Sequence, residues 1–366
     1  MISPAVRGAA LLAAAALCGM IPAQAAESGE EEAPVPAVAD SGKTADHFRS
    51  RRPRVSGYVQ IHYRYAFKTG SDTLVDNDDF RVQRVRLGVD GDILPWLSYE
   101  IEVDPRAPEV TGVLRDAYLT LRVIPRHKLR IGQQKTQFGY ENRESSTRLF
   151  AVNRTDVSDN LSRGVNLRDI GVGLIGNVKL GKGWRLEDAV TVVNGAGMNV
   201  QNDDTRMKDV WGRLGIRWKR RDFGDWTARL GASGGIGDHV DPGDTLSTTA
   251  DDFRLKFRRL GADLEIDHEF FFLSAEYVAG WDENAKTGAT EEPFGYYVNL
   301  IGKTPWKIGP VIRYDVLGDE FQRWTLGAFY GLQDEPFRVL LNYELRLKKD
   351  DLRGDDKLYV WVQAKF

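Results

Sequence analysis

Apolar and polar residues alternate with a period of two along most of the chain from Val55 onward. Val59, Ile61, Tyr63, Tyr65 and Phe67 alternate with Gln60, His62, Arg64 and Ala66. Leu97, Tyr99, Ile101 and Val103 alternate with Ser98, Glu100, Glu102 and Asp104, and Phe337, Val339, Leu341, Tyr343, Leu345 and Leu347 with Arg338, Asn342, Glu344 and Arg346. Successive side chains of a strand point to opposite faces, so each run reads as a strand with one apolar and one polar face. About 16 such runs can be placed, each near the ~9–11 residues that cross a bilayer at a tilt. No helical period competes with them. The last run continues to the final residue: Leu358, Val360, Val362, Ala364 and Phe366 fall on one face, Tyr359, Trp361, Gln363 and Lys365 on the other. An apolar strand left at a free edge invites aggregation. A closed barrel has no edge and pairs its last strand with its first, here the run from Ser56 to Phe67.

The connections alternate between short and long. The short ones contain Gly91–Pro95, Ile124–His127, Gly181–Gly183, Arg221–Gly224, Lys303–Pro305 and Gln333–Pro336; the long ones include 68–78, 135–168, 195–207, 237–252 and 282–293. Outer-membrane barrels have short periplasmic turns and long external loops. Trp96, Trp184, Trp226 and Trp306 each stand where a strand leaves a short turn, as an aromatic girdle requires. A soluble sandwich or propeller is the competing fold, but no blade-length repeat is present. The expected fold is all-β: a 16-stranded antiparallel transmembrane β-barrel over 54–366, with long external loops and loop 135–168 folded inward as a constriction.

The other end of the chain agrees with export. Arg7 precedes an apolar stretch from Gly8 to Ile21, followed by Ala23-Gln-Ala25. That is the layout of a signal peptide, 1–25, cleaved after Ala25. Residue 17 is leucine where a lipoprotein signal needs a small residue, so Cys18 leaves with the signal and the remaining chain has no cysteine. Residues 26–53, rich in Ala, Pro, Glu and Ser and then basic, read as a flexible periplasmic leader. Without Arg7 the chain carries 49 basic and 53 acidic residues. This near-balance argues against a nucleic-acid partner.

A barrel of this strand number encloses an aqueous channel, so function should sit on inward side chains and on the inward loop. Loop 135–168 holds Phe138, Tyr140, Leu149, Phe150, Val152, Val157 and Leu161, enough apolar surface to pack on a wall, and its charges sum to +2. Loop 237–252 has five Asp and no Lys or Arg, and loop 282–293 carries −3. These acidic loops suit solubility, or divalent cations bridging lipopolysaccharide, and solubility is the simpler reading. The polar faces are rich in arginine, which stays charged and grips oxyanions bidentately. The pore-lining, anion-binding candidates are Arg64, Arg122, Arg130, Arg143, Arg213, Arg217 and Arg229. Cross-strand pairing neutralises some inward arginines. A turn centred near Ile93 sets Arg86 against Glu100 and Arg84 against Glu102. A turn near Phe223 sets Arg217 against Arg229, with Arg213 and Lys219 on the same face. Two like charges need compensation by water, by Asp263 or Glu265 of the next strand, or by an anion in transit, and the acid is the preferred reading.

No catalytic set emerges. His47, His62, His127, His239 and His268 have no evident nucleophile beside them, no cofactor or metal-ligand pattern stands out, and no G-x-S-x-G, H-E-x-x-H or P-loop motif occurs. The stretch from Arg84-Val-Arg-Leu-Gly-Val-Asp-Gly-Asp92 through Arg115-Asp-Ala-Tyr-Leu119 to Ile131-Gly-Gln-Gln-Lys-Thr-Gln-Phe-Gly139 resembles the phosphate-selective porin O and P family of Gram-negative bacteria. Val193-Asn-Gly195, Ala275-Glu-Tyr-Val278 and Arg313-Tyr-Asp315 add to the likeness, which spans roughly residues 55 to 366. The resemblance implies a 16-stranded, usually trimeric porin, some members of which pass phosphate along an arginine ladder and lysine clusters. The expected function is passive diffusion of small hydrophilic solutes with an anion or phosphate preference. The alternative is a structural or adhesive barrel with a plugged lumen. The expected partners are outer-membrane lipid and lipopolysaccharide, the barrel-assembly machinery, small anionic solutes and a homotrimer.

Overall fold

The computed structural model describes residues 52–67, 78–106, 112–161, 168–200, 207–220, 224–240, 254–284, 287–319, 321–348 and 356–366, and all counts refer to these. The expected signal peptide, most of the leader and the acidic part of loop 237–252 lie outside them. In chain order the strands are β1 (Arg54–Phe67), β2 (Asp78–Leu94), β3 (Leu97–Val103), β4 (Leu114–Ile124), β5 (His127–Lys135), β6 (Arg168–Gly181), β7 (Trp184–Val193), β8 (Asp209–Arg220), β9 (Trp226–Val240), β10 (Arg254–Asp267), β11 (Phe271–Asn284), β12 (Thr290–Glu291), β13 (Phe294–Gly302), β14 (Ile308–Leu317), β15 (Phe321–Tyr330), β16 (Phe337–Lys348) and β17 (Asp356–Lys365). β12 is a two-residue strand in the β11–β13 connection. The other 16 form one closed antiparallel barrel.

Closure is by β1 against β17, in register from Tyr58↔Lys365 to Phe67↔Asp356. Phe366 extends the ladder: its N–H donates to Gly57 O and its carbonyl accepts from Gly57 N–H, both at 3.0 Å. Each of the 16 barrel strands therefore has two neighbours among the described residues, as a closed barrel requires. The alternation sets the two surfaces. On β17, Val360 and Val362 face outward and are 40% and 38% exposed, whereas Tyr359, Trp361 and Gln363 face the lumen and are buried. The outward row continues around the wall through Leu341, Leu326, Ile312 and Leu300, the surface a lipid-facing barrel needs. No described helix is long and apolar enough to cross a membrane.

One hairpin departs from the sequence expectation. The β2 ladder runs past Ile93 to Leu94↔Leu97, with an irregularity between Asp92 and Leu94, and the turn falls at Pro95–Trp96. Proline's fixed φ favours this second turn position. The register therefore pairs Asp90 with Glu100 and Gly88 with Glu102. Arg86 does not meet Glu100. It bonds Glu102 and, at 3.2 Å, Asp104. Arg84 does not meet Glu102 and donates to Gln60 Oε1 at 2.9 Å.

Candidate functional site

The segment after β5 turns into the barrel. Phe138 is fully buried, edge-on to Trp211 with ring centroids 5.3 Å apart, and Trp211 stacks on Phe257 at 5.1 Å. Trp211 lies flat over Gly235, where a Cβ would stand 2.2 Å from the indole, so the strand face beneath the ring admits only glycine. Farther along, Phe150 packs on Phe329 at 4.8 Å and on Phe272 at 5.9 Å, with the Arg338 guanidinium 5.1 Å from its centroid. Beyond the second aromatic contact the segment forms α1 (Asp156–Leu161). Thr155 caps it, its Oγ1 accepting from Ser158 N–H at 3.2 Å. Loop 135–168 thus enters the lumen over its described part, as its apolar content led us to expect.

Polar bonds fix the loop to a wide arc of wall. Glu276 on β11 accepts from the N–H groups of Tyr140 and Glu141, each at 3.2 Å, and from the Tyr297 hydroxyl at 3.0 Å. Asn342 Oδ1 accepts from Val152 N–H at 2.9 Å, Arg313 donates to Asn153 O at 2.7 Å, and Tyr58 bonds Ser146 at 2.7 Å. Arg323 holds Asp315 by two bonds of 3.0 and 2.9 Å and reaches Asp156 of α1 at 3.1 Å. Burial beside Glu141 raises the Asp159 carboxyl of α1 to about 6, Arg154 only partly offsetting it.

The inner wall divides electrostatically. From β8 to β15 its arginines have acids: Arg213 bonds Asp263, Arg229 bonds Glu265 at 2.5 Å, Arg259 bonds Asp282 at 2.6 Å and Arg323 bonds Asp315. Arg338 on β16 donates instead to the carbonyls of Gly331 and of Thr147 in the loop. Arg217 stands opposite Arg229, as the turn near Phe223 predicts. The acids Glu265 and Glu187, the latter 3.5 Å from Arg217 and 3.9 Å from Arg229, compensate the like charges. Sequence reasoning anticipated Glu265 and missed Glu187, which arrives from the preceding strand β7.

On the opposite side, from β1 to β6, the loop leaves a cavity of about 380 Å³. Five basic groups line it, Arg86, Arg130, Lys135, Arg143 and Arg168, against Glu100, Glu102 and Asp116, with Tyr58, Tyr118, Ser145 and Ser146 supplying hydroxyls. Arg168 clasps Asp116 at 2.6 Å and Arg86 takes Glu102 and Asp104. Glu100 accepts from Tyr118 OH at 2.5 Å. Among the described residues no carboxylate lies within ion-pair distance of the remaining three cations. Arg130 lies over the Tyr118 ring at 4.5 Å, Arg143 donates to Gln137 Oε1 at 3.2 Å, and Lys135 donates to Glu144 O at 2.8 Å. Burial and the nearby Arg213 push the Arg143 guanidinium below its ordinary value, with Asp263, Glu187 and Glu144 acting in the opposite direction.

Of the seven candidate arginines, Arg130 and Arg143 therefore meet at this cavity. Arg64 sits with Asp79 at 3.0 Å, and Arg122 bonds Asp92 at 3.2 Å at the short-turn rim. Arg213, Arg217 and Arg229 belong to the ion-paired wall. Lys135 and Arg168 were not singled out from the sequence. They are cross-strand neighbours where the long loop leaves β5 and enters β6, and a cation at each root of one loop was the available signal. Lys128 and Lys219 continue the faces of Arg130 and Arg217 toward the short-turn rim, and Lys179 stands opposite Arg185 there.

The family model described as phosphate-selective porin O and P matches residues 55–218. No curated protein matches the sequence. Among solved structures, the fold is similar to an anion-selective porin from Comamonas acidovorans, with 13% identity, TM-score 0.60, and coverage of 87% of this chain and 100% of that one. It is also similar to the outer-membrane channel DcaP of Acinetobacter baumannii, with 16% identity, TM-score 0.57, and coverage of 87% and 98%. A third is the trimer form of OmpT from Vibrio cholerae, with 13% identity, TM-score 0.56, and coverage of 86% and 99%. At these identities the likeness is one of fold.

Proposed function

We propose that this chain, which belongs to the phosphate-selective porin O and P family through residues 55–218, is an outer-membrane porin that passes small hydrophilic solutes and prefers anions. The observation that carries the preference is the charge imbalance of the cavity beside the inward loop: Arg130, Lys135 and Arg143 have no carboxylate partners among the described residues. A cation in a narrow, low-dielectric passage raises the local anion concentration, and rings of Arg or Lys are the usual anion filter. Guanidinium groups give up water readily and offer paired donors to an oxyanion. Lys128, Lys179 and Lys219 extend the positive path to the periplasmic mouth. The paired wall from β8 to β15 supports the loop and adds little net field.

Phosphate is the oxyanion the family description suggests. Addition of phosphate to a chloride-conducting channel tests it: block of the chloride current at phosphate well below the chloride concentration supports a phosphate site, and its absence restricts the reading to general anion preference. A plugged structural or adhesive barrel is the second reading, favoured by how fully the loop packs the lumen, and it predicts no conductance at all. We further propose export by cleavage after Ala25, recognition of the β17 end by the barrel-assembly machinery, and a homotrimer set in phospholipid and lipopolysaccharide, with the OmpT trimer form as the supporting parallel.

A further inference from the structure

We infer that Glu276 is the latch that holds the inward loop in place, and so a positioning residue for the constriction. This rests on the loop narrowing the channel, as proposed above. Glu276 faces the lumen from the middle of β11 and is nearly fully buried. It has no cation to itself: its cross-strand neighbour Asp263 takes Arg213. Its acceptor capacity goes instead to the loop and to the wall behind it, through the N–H groups of Tyr140 and Glu141 and the hydroxyl of Tyr297, its neighbour on β13. Successive N–H groups converging after a left-handed residue form an anion-binding concavity. The left-handed residue is Gly139, with φ of 64°. A Cβ on Gly139 would lie 2.0 Å from Glu276 Oε1, so the carboxylate and the turn occupy each other's only available space. The Gly139 N–H is taken by Ser233 Oγ at 3.0 Å, which pins the same turn to β9.

The latch joins two sequence blocks far apart in the chain, Ile131–Gly139 and Ala275–Val278. Phe138 seats beside Trp211 one residue before the latch, and Val278 is buried in the same apolar cluster. Arg313 and Asp315, a third block, hold the loop farther along at Asn153 and Asp156. These separated blocks share one task, the docking of the loop.

The test compares Glu276→Ala, Glu276→Gln and Gly139→Ala in the full chain. Hydrogen exchange at the loop amides is read against exchange in the strands, and single-channel conductance is read in parallel. Loss of even one charge-assisted bond is worth about tenfold in the docking equilibrium. Glu276→Ala and Gly139→Ala should raise loop exchange by about that factor or more, leave the strands protected and enlarge the conductance. Glu276→Gln, which keeps an acceptor oxygen but no charge, should fall between them and the parent. Unchanged loop exchange in Glu276→Ala overturns the latch. Raised exchange with unchanged conductance supports the latch and refutes the loop as the constriction. If the alanine variants fail to assemble, Tyr297→Phe removes a single donor, and unaltered open-channel noise in that variant overturns the proposal.

Discussion

Arg130 and Arg213 both point into the lumen, yet only Arg213 has a carboxylate, Asp263, in contact. Neutralising Arg130 removes a free charge, whereas neutralising Arg213 strands a buried acid. Arg130→Gln should lower the anion-to-cation permeability ratio about fivefold, since two unit charges ~4 Å apart in water interact by ~1 kcal/mol, and should leave thermal stability unaltered. Arg213→Gln should destabilise the barrel by about 3–5 kcal/mol. Reversal potentials and the temperature of the SDS-resistant transition separate the two outcomes. At the seam, Gly57 leaves room for Phe366: a Cβ there would lie 2.6 Å from both Arg86 O and the Phe366 ring. Gly57→Ala should cost about 1–3 kcal/mol as overpacking against backbone, visible as a lower SDS-resistance temperature. Which side of the wall each arginine faces was legible from alternation alone. Which acid it meets was not: at Arg86 the answer depended on two residues of turn position near Pro95, and at Arg217 on Glu187 of another hairpin.

Among the elements, the strands were legible because each carries its own period, and the inward loop because apolar residues such as Phe138 and Phe150 had to be buried somewhere. The docking partners Trp211, Phe257, Phe272 and Phe329 were not, since inward aromatics look the same in sequence whether they line water or receive a loop. The helix α1 gives this loop a dependence on pH. In the docked state the Asp159 carboxyl sits at about 6, above its ordinary value, because burial penalises the charged form. Docking is therefore favoured below about pH 4, where the group is protonated in both states, and loses that support as pH rises through 6. Open-channel noise from loop motion should be greater at pH 7.5 than at pH 4.5, and Asp159→Asn should remove most of the difference. A pH-independent noise level in the parent channel would dismiss Asp159 as the source.

For the molecule as a whole, period-two patterning, the short-and-long connections and the terminal strand pointed to a closed barrel, and β1 pairs β17 as that pattern required. Three of the blocks that carry the family likeness, Ile131–Gly139, Ala275–Val278 and Arg313–Asp315, dock the loop, so they signal architecture more directly than they signal a solute. The proposed preference for anions rests on the sum of unpaired charges around one cavity, a property no single motif encodes. The most direct measurement is the reversal potential of the reconstituted channel in a KCl gradient. The charge balance of the cavity predicts an open channel with a potential of the sign set by chloride passing faster than potassium, reduced in Arg130→Gln. A channel of potassium preference, or a correctly folded barrel with no conductance, would contradict it.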